Sequence, residues 1–222
     1  MMKYKYGNMK KLAIFDFDGT LFDSVCDVVI CFNKALTIHN LPTLTREEYL
    51  GCLGGNIDEI TSLVLGDNLT DENLETVKDT YLNFYNSSKK ENTIPFPKAH
   101  DMLKELQDKG ILLAVNSNRL NYSLNEFINN YFADIDFLEI EGHEYPNPSK
   151  PDPYGVNKII KKAQVGVDEA VYIGDSATDI KTAKNAGIDC ILVKWGYGNK
   201  TDYEDEYLLD VIDDMSEIIN YF

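Results

Sequence analysis

Apolar residues gather in five short runs rich in β-branched and aromatic side chains, residues 12–15, 112–115, 135–140, 170–173 and 190–193. Each has the length and boundaries of a buried strand. Between the later runs the apolar spacing changes from strand-like to helical. Met102, Leu103 and Leu106 precede Gly110, and Val156, Ile159, Ile160 and Ala163 recur on one side of a helical projection. Strands alternating with helices imply right-handed crossovers and an α/β fold, a mostly parallel sheet of five or more strands covered on both faces.

Residues 23–92 break this rhythm, because no strand pattern occurs there. Val25, Val28, Val29, Phe32 and Leu36 fall on one helix face. Thr45-Arg46-Glu47-Glu48 has the form of a capping box opening a second helix. Thr70 is placed to cap a third, whose buried stripe is Leu74, Val77 and Tyr81. An all-helical insert over 23–92 is therefore expected, closing near the breaker Pro95-Phe96-Pro97, with residues 1–22 and 93–222 forming the core.

Composition narrows the class without naming a function. The 222 residues are 44% hydrophobic and 26% charged, with a formal charge of −16, which opposes nucleic acid and anionic membrane surfaces as partners. No run reaches membrane-spanning length, and the amino terminus MMKYKYGNMK lacks the apolar stretch of a secretory signal, so a cytoplasmic location is expected. Cys26, Cys31, Cys52 and Cys190 lack zinc-site spacing and are expected as free thiols. His39, His100 and His143 have no metal-like spacing either.

Chemistry concentrates where strands end. In AIFDFDGTLFD, Asp16 and Asp18 lie two apart on an extended chain and share a face, and Gly19 allows a sharp turn after them. Two neighbouring carboxylates are costly to bury without a cation or a shared proton. In VYIGDSATDI, Asp175 and Asp179 stand one helical turn apart, a spacing that also fits a Ser176–Asp179 helix cap. Ser117 follows the second run, and Lys150 follows the third between restricting prolines. Ligands of open parallel sheets bind outside the carboxyl ends of the strands, so four such residues after four strands read as one site. Acids there suit a divalent metal, and a hydroxyl and an ammonium suit an anion.

With DFDGT at residues 16–20, NSN around Ser117, KPDP at Lys150 and GDSATD at residues 174–179, the sequence resembles the haloacid dehalogenase superfamily. Within it, the sequence resembles the phosphatase branch with a helical cap, the phosphoglycolate phosphatase-like group. That resemblance implies a Rossmann-like core and hydrolysis of a small phosphorylated metabolite. Asp16 would be the nucleophile that becomes an aspartyl-phosphate. Asp18 would protonate the leaving group and then deprotonate water. Mg²⁺ would be held by Asp16, the backbone carbonyl of Asp18, and Asp175, with Thr20 and Asp179 in support, Asp179 bearing on a metal-bound water or on Lys150. Ser117, Lys150 and amides near Gly19 and Asn118 would take the phosphoryl oxygens.

The expected cap carries 12 acidic and 5 basic residues, and none of the basic ones lies between Glu47 and Val77. Its substrate contacts are sought at Asp23, Arg46, Asn56 in GCLGGNIDEI, and Arg119 beside the phosphate loop. A phosphosugar mutase of β-phosphoglucomutase type, a pyrophosphatase and a non-catalytic phosphate-binding protein remain alternatives. A monomer or homodimer is expected.

Overall fold

The computed structural model describes residues 9–222. Residues 1–8, which carry most of the amino-terminal segment read above, lie outside the described residues. The core is a six-stranded sheet in the order β5-β4-β1-β6-β7-β8, every neighbouring pair parallel. Its strands are β1 (Leu12–Phe15), β4 (Leu112–Leu120), β5 (Phe137–His143), β6 (Ala170–Gly174), β7 (Asp189–Val193) and β8 (Asp210–Ile212). β1 lies between β4 and β6, with Leu12 in register with both Leu112 and Ala170.

Alternation along β1 builds two apolar layers. Ala13 and Phe15 enter one with Met102, Leu103 and Leu106 of α5 (Ala99–Asp108) and Leu124 and Phe127 of α6 (Asn121–Tyr131). Leu12 and Ile14 enter the other with Val156 and Ile159 of α7 (Tyr154–Ala163) and Ile180 and Ala183 of α8 (Ala177–Ala186). Because both faces are covered, the strands read as apolar runs.

Three departures from the sequence reading have physical causes. β5 starts at Phe137, and Ile135 instead turns back, its amide donating to the Phe132 carbonyl at 3.0 Å. β8 leaves no strand pattern in the sequence because Asp210-Val211-Ile212 is only three residues long, starts on an acid and is followed by Asp213 and Asp214. β4 runs past Val115, but its pairing with β5 jumps from Asn116↔Glu141 to Leu120↔His143. Ser117, Asn118 and Arg119 therefore bulge from the ladder at its carboxyl end.

The insert is helical, comprising α1 (Val25–Ile38), α2 (Arg46–Leu50), α3 (Ile57–Leu65) and α4 (Asp71–Ser87). Thr45 and Glu48 form the expected capping box, and Thr70 accepts from the Asn73 amide at 3.1 Å. These helices have an apolar cluster of their own, centred on Phe32 and Tyr81, whose rings stack with centroids 3.8 Å apart. Where the insert leaves and returns, β2 (Phe22–Asp23) pairs antiparallel with β3 (Ile94–Pro95). Beside this ribbon the buried Asp27 carboxylate accepts from the Asn92 amide at 3.0 Å, the Asn92 side chain at 2.9 Å and the Thr93 hydroxyl at 2.8 Å. No described helix is long and apolar enough to cross a membrane.

Candidate active site

Asp16 directly follows β1, and Asp175 directly follows the neighbouring β6. Both are almost fully buried, as is Asp179 in the first turn of α8. One carboxylate oxygen from each of these three falls within 4.8 Å of the others. The Lys150 ammonium enters from the β5–α7 connection, 2.7 Å from Asp16 and 2.8 Å from Asp179. It also lies over the Tyr172 ring, 5.7 Å from the centroid.

Burial raises the Asp16 carboxyl to about 7, opposed by Lys150 and assisted by Asp179. Burial, then Asp179 and Asp16, push Asp175 well above the usual carboxylate range. Burial opposes the charge on Lys150, yet Asp16 and Asp179 hold it well above its ordinary value. Three buried acids around one ammonium leave negative charge that a divalent cation would offset. An all-oxygen donor set suits magnesium. The residues thus fit the implied metal, with Asp16 and Asp175 as its carboxylate candidates.

Asp179 combines the helix cap read from its spacing with the contact to Lys150 that the family resemblance implies. One oxygen accepts from the Asp175 amide at 3.1 Å, the Ser176 amide at 3.1 Å and the Ser176 hydroxyl at 3.0 Å, while the other receives Lys150.

The Asp18 carboxylate points to a different set of partners. It accepts from the Ser24 hydroxyl and from Arg119, whose Nε lies 3.1 Å from one oxygen while its Nη2 contacts the other. Arg119 also donates to the Tyr85 hydroxyl at 2.6 Å and the Ser123 hydroxyl at 3.3 Å, with its guanidinium over Phe17, Tyr85 and Phe127. Asp18 and Arg119 thereby tie the core to the last turns of α4 in the cap.

Ser117 borders the same cavity, its hydroxyl accepting from the Arg119 amide at 3.1 Å. Asn118 braces the Lys150 loop, accepting from the Lys150 amide at 2.7 Å and donating to its carbonyl at 3.1 Å. A cavity of about 230 Å³ joins Asp16, Asp18, Ser117 and Lys150 to apolar residues of the cap.

Several expected contacts are corrected. Gly19, at φ 84°, makes the turn, but its amide donates to the Phe22 carbonyl at 2.9 Å and so does not face the phosphoryl site. Thr20 is fully buried, and its hydroxyl has no hydrogen-bond partner among the described residues. Asp23 lies off the cavity and accepts from the Tyr197 hydroxyl at 2.7 Å. Arg46 is exposed on the first turn of α2, away from the cavity. Asn56 is not a lining residue: it caps α3 and donates to the Ser149 hydroxyl at 3.0 Å. With Gly54, whose carbonyl accepts from Asn118 at 3.0 Å, it joins the cap loop to the core.

The stretch Trp195-Gly196-Tyr197-Gly198, which follows β7, ties Asp175 to the start of the insert. The Tyr197 amide donates to Asp175 at 2.5 Å, and its hydroxyl accepts from the Ser24 and Val25 amides at 2.7 and 3.1 Å. Gly19, Gly196 and Gly198 let backbone lie against Asp175 where any Cβ would overlap it. Glycines alternating with aromatics were the available signal, but nothing local identified the partner.

A family model described as haloacid dehalogenase-like hydrolase matches residues 13–193. The chain belongs to the haloacid dehalogenase-like hydrolase family. It is 30% identical over 218 residues to a phosphoglycolate phosphatase of Pseudomonas syringae pv. tomato, covering 96% of this chain and 80% of that one. A phosphoglycolate phosphatase of Vibrio parahaemolyticus is 26% identical over 215 residues, covering 94% of each. Among solved structures, a Lactobacillus delbrueckii subsp. bulgaricus protein ascribed to the phosphoglycolate phosphatases superposes with a TM-score of 0.87 at 26% identity, covering 95% of this chain and 97% of that one.

Proposed function

We propose that this chain is a magnesium-dependent hydrolase of a small phosphate monoester, acting through an aspartyl-phosphate on Asp16, with residues 23–92 as its cap and 1–22 with 93–222 as its core. The observation that carries this reading is the Asp16 carboxylate, buried at the floor of the cavity and held by Lys150 at 2.7 Å. Family membership and the phosphoglycolate phosphatase relatives support the same class of reaction.

In this reading the Asp16 oxygen attacks phosphorus as the ester P–O bond breaks, and the leaving oxygen takes a proton from the Asp18 carboxyl. Asp18 then takes a proton from a water that attacks the phosphorus of the aspartyl-phosphate, releasing inorganic phosphate and regenerating Asp16. Lys150 and the Ser117 hydroxyl bind phosphoryl oxygens, and Asn118 holds the Lys150 loop in place. Magnesium, when bound at Asp16, Asp175 and the Asp18 backbone carbonyl, supplies charge neutralisation for the anionic phosphoryl group. Asp179 fixes the Lys150 ammonium, and the cap excludes water.

The test is phosphate release from a panel of monoesters and pyrophosphate, with magnesium or with chelator. Magnesium-dependent release that Asp16→Asn abolishes is the expected result. Release by Asp16→Asn at the wild-type rate would overturn the assignment. An isomerised phosphosugar without free phosphate would replace hydrolysis with mutase chemistry.

A further inference from the structure

We infer that the ester cleaved here carries an uncharged, largely apolar leaving group, a preference set by the cap wall of the cavity. This rests on the hydrolase reading above and narrows it. One end of the cavity holds Asp16, Ser117 and Lys150; the opposite end is walled by Phe32, Leu53, Ile57, Ile60, Tyr81 and Leu82. The stacked rings of Phe32 and Tyr81 give that wall an aromatic base. At about 230 Å³ the cavity is smaller than the about 300–1,000 Å³ of drug-sized sites, so the leaving group is a short chain or a single ring.

The cations decide the charge of that group. Among the described lining residues, only Lys150 and Arg119 are basic. Lys150 is held at the floor by Asp16 and Asp179. Arg119 has all but one of its N–H donors committed to Asp18, Tyr85 and Ser123, and its face lies on aromatic rings. Of the five basic cap residues, Lys78 pairs with Asp58, Lys89 with Glu91 and Lys90 with Glu126, Lys34 lies over the Phe84 ring, and Arg46 is exposed and off the cavity. A carboxylate on the leaving group would lie against apolar side chains and near Asp18, with no uncommitted cation among the described lining residues to meet it. Apolar atoms in the same place lose only water.

The experiment compares kcat/KM of the wild-type enzyme with magnesium for benzyl phosphate, 2-hydroxyethyl phosphate and 2-phosphoglycolate, the last two nearly matched in size. Benzyl phosphate is expected to lead, and phosphoglycolate to trail it by at least about 100-fold. Leu53→Lys places a cation on the half-buried cap loop at the cavity wall. It should raise the phosphoglycolate-to-benzyl ratio by at least about tenfold. Phosphoglycolate matching or exceeding the neutral esters in the wild type would overturn the inference. So would an unchanged ratio in a Leu53→Lys variant whose melting and circular dichroism show it folded. Failure to release phosphate from any ester, by folded enzyme with magnesium, would overturn the hydrolase reading and this inference with it.

Discussion

Adding one methyl group at Gly142 should damage the site from behind. Gly142 is buried in β5 and faces the bulge that carries Ser117, Asn118 and Arg119. A Cβ there would lie 2.5 Å from the Asn121 Cα, 2.9 Å from the Arg119 carbonyl oxygen and 3.0 Å from the Asn121 nitrogen. All three are backbone atoms, so no side chain can swing aside. Ordinary carbon–carbon separations are about 3.5–4.0 Å, so the start of α6 or β5 must retreat by about 1 Å. Overpacking of this kind costs about 1–3 kcal/mol, or about 2–12 °C in Tm for a chain of this size. A displacement of about 1 Å at the bulge that carries Ser117 should also lower kcat/KM by about 100-fold.

Gly187→Ala is the matched control. Gly187 ends α8 at φ 71° with no atom of the described residues within 4 Å of an added Cβ. That substitution carries only backbone strain, about 1–2 kcal/mol, and should leave turnover unchanged. Melting by differential scanning calorimetry and phosphate release for both variants complete the test. If Gly142→Ala keeps wild-type kcat/KM, the bulge does not position the site and the reasoning fails.

Other outcomes follow from the same contacts. Asp27→Ala leaves the Asn92 and Thr93 donors unmet beside the linker ribbon, so it should lower stability by about 2–4 kcal/mol in urea titrations. At Asp58, partial burial opposes ionisation, but Lys78 and the Tyr145 hydroxyl outweigh it and hold the carboxyl below its ordinary value. Because the folded value is depressed, this stabilisation is present above the unfolded pKa and disappears as the pH falls through the folded one. The stability gap between wild type and Asp58→Asn, at most about 1 kcal/mol for so exposed a pair, should close at acid pH. Of the four cysteines only Cys26 is exposed, so a thiol reagent should modify it rapidly in the native protein and reach Cys31, Cys52 and Cys190 only on denaturation.

Much of the core was legible because its signals are local. Asp16 and Asp175 follow apolar runs directly, and the sheet's parallel order brings those two strand ends together. Lys150 was placed by its position after the third run. The contacts that were missed are long-range. Arg119 meets Asp18 across 101 residues and Tyr197 meets Asp23 across 174, and neither partner leaves a mark in the other's neighbourhood. The bulge in β4 was hidden for a similar reason, since it is defined by pairing with β5. Asn56 misled because a polar side chain on a glycine-bearing loop fits a substrate contact and a helix cap equally well, and tertiary packing turned it toward Ser149. Arg46 misled because charge alone gives no direction.

In the proposed reaction Asp16 becomes covalently phosphorylated. Rapid mixing of enzyme, magnesium and a hydrolysed ester, followed by acid quench and peptide mass spectrometry, tests this directly. The expected result is a hydroxylamine-labile phosphoryl group on the peptide bearing Asp16, formed before phosphate appears and absent in Asp16→Asn. Full turnover with no label on that peptide at any quench time, or with the label on another residue, would contradict it.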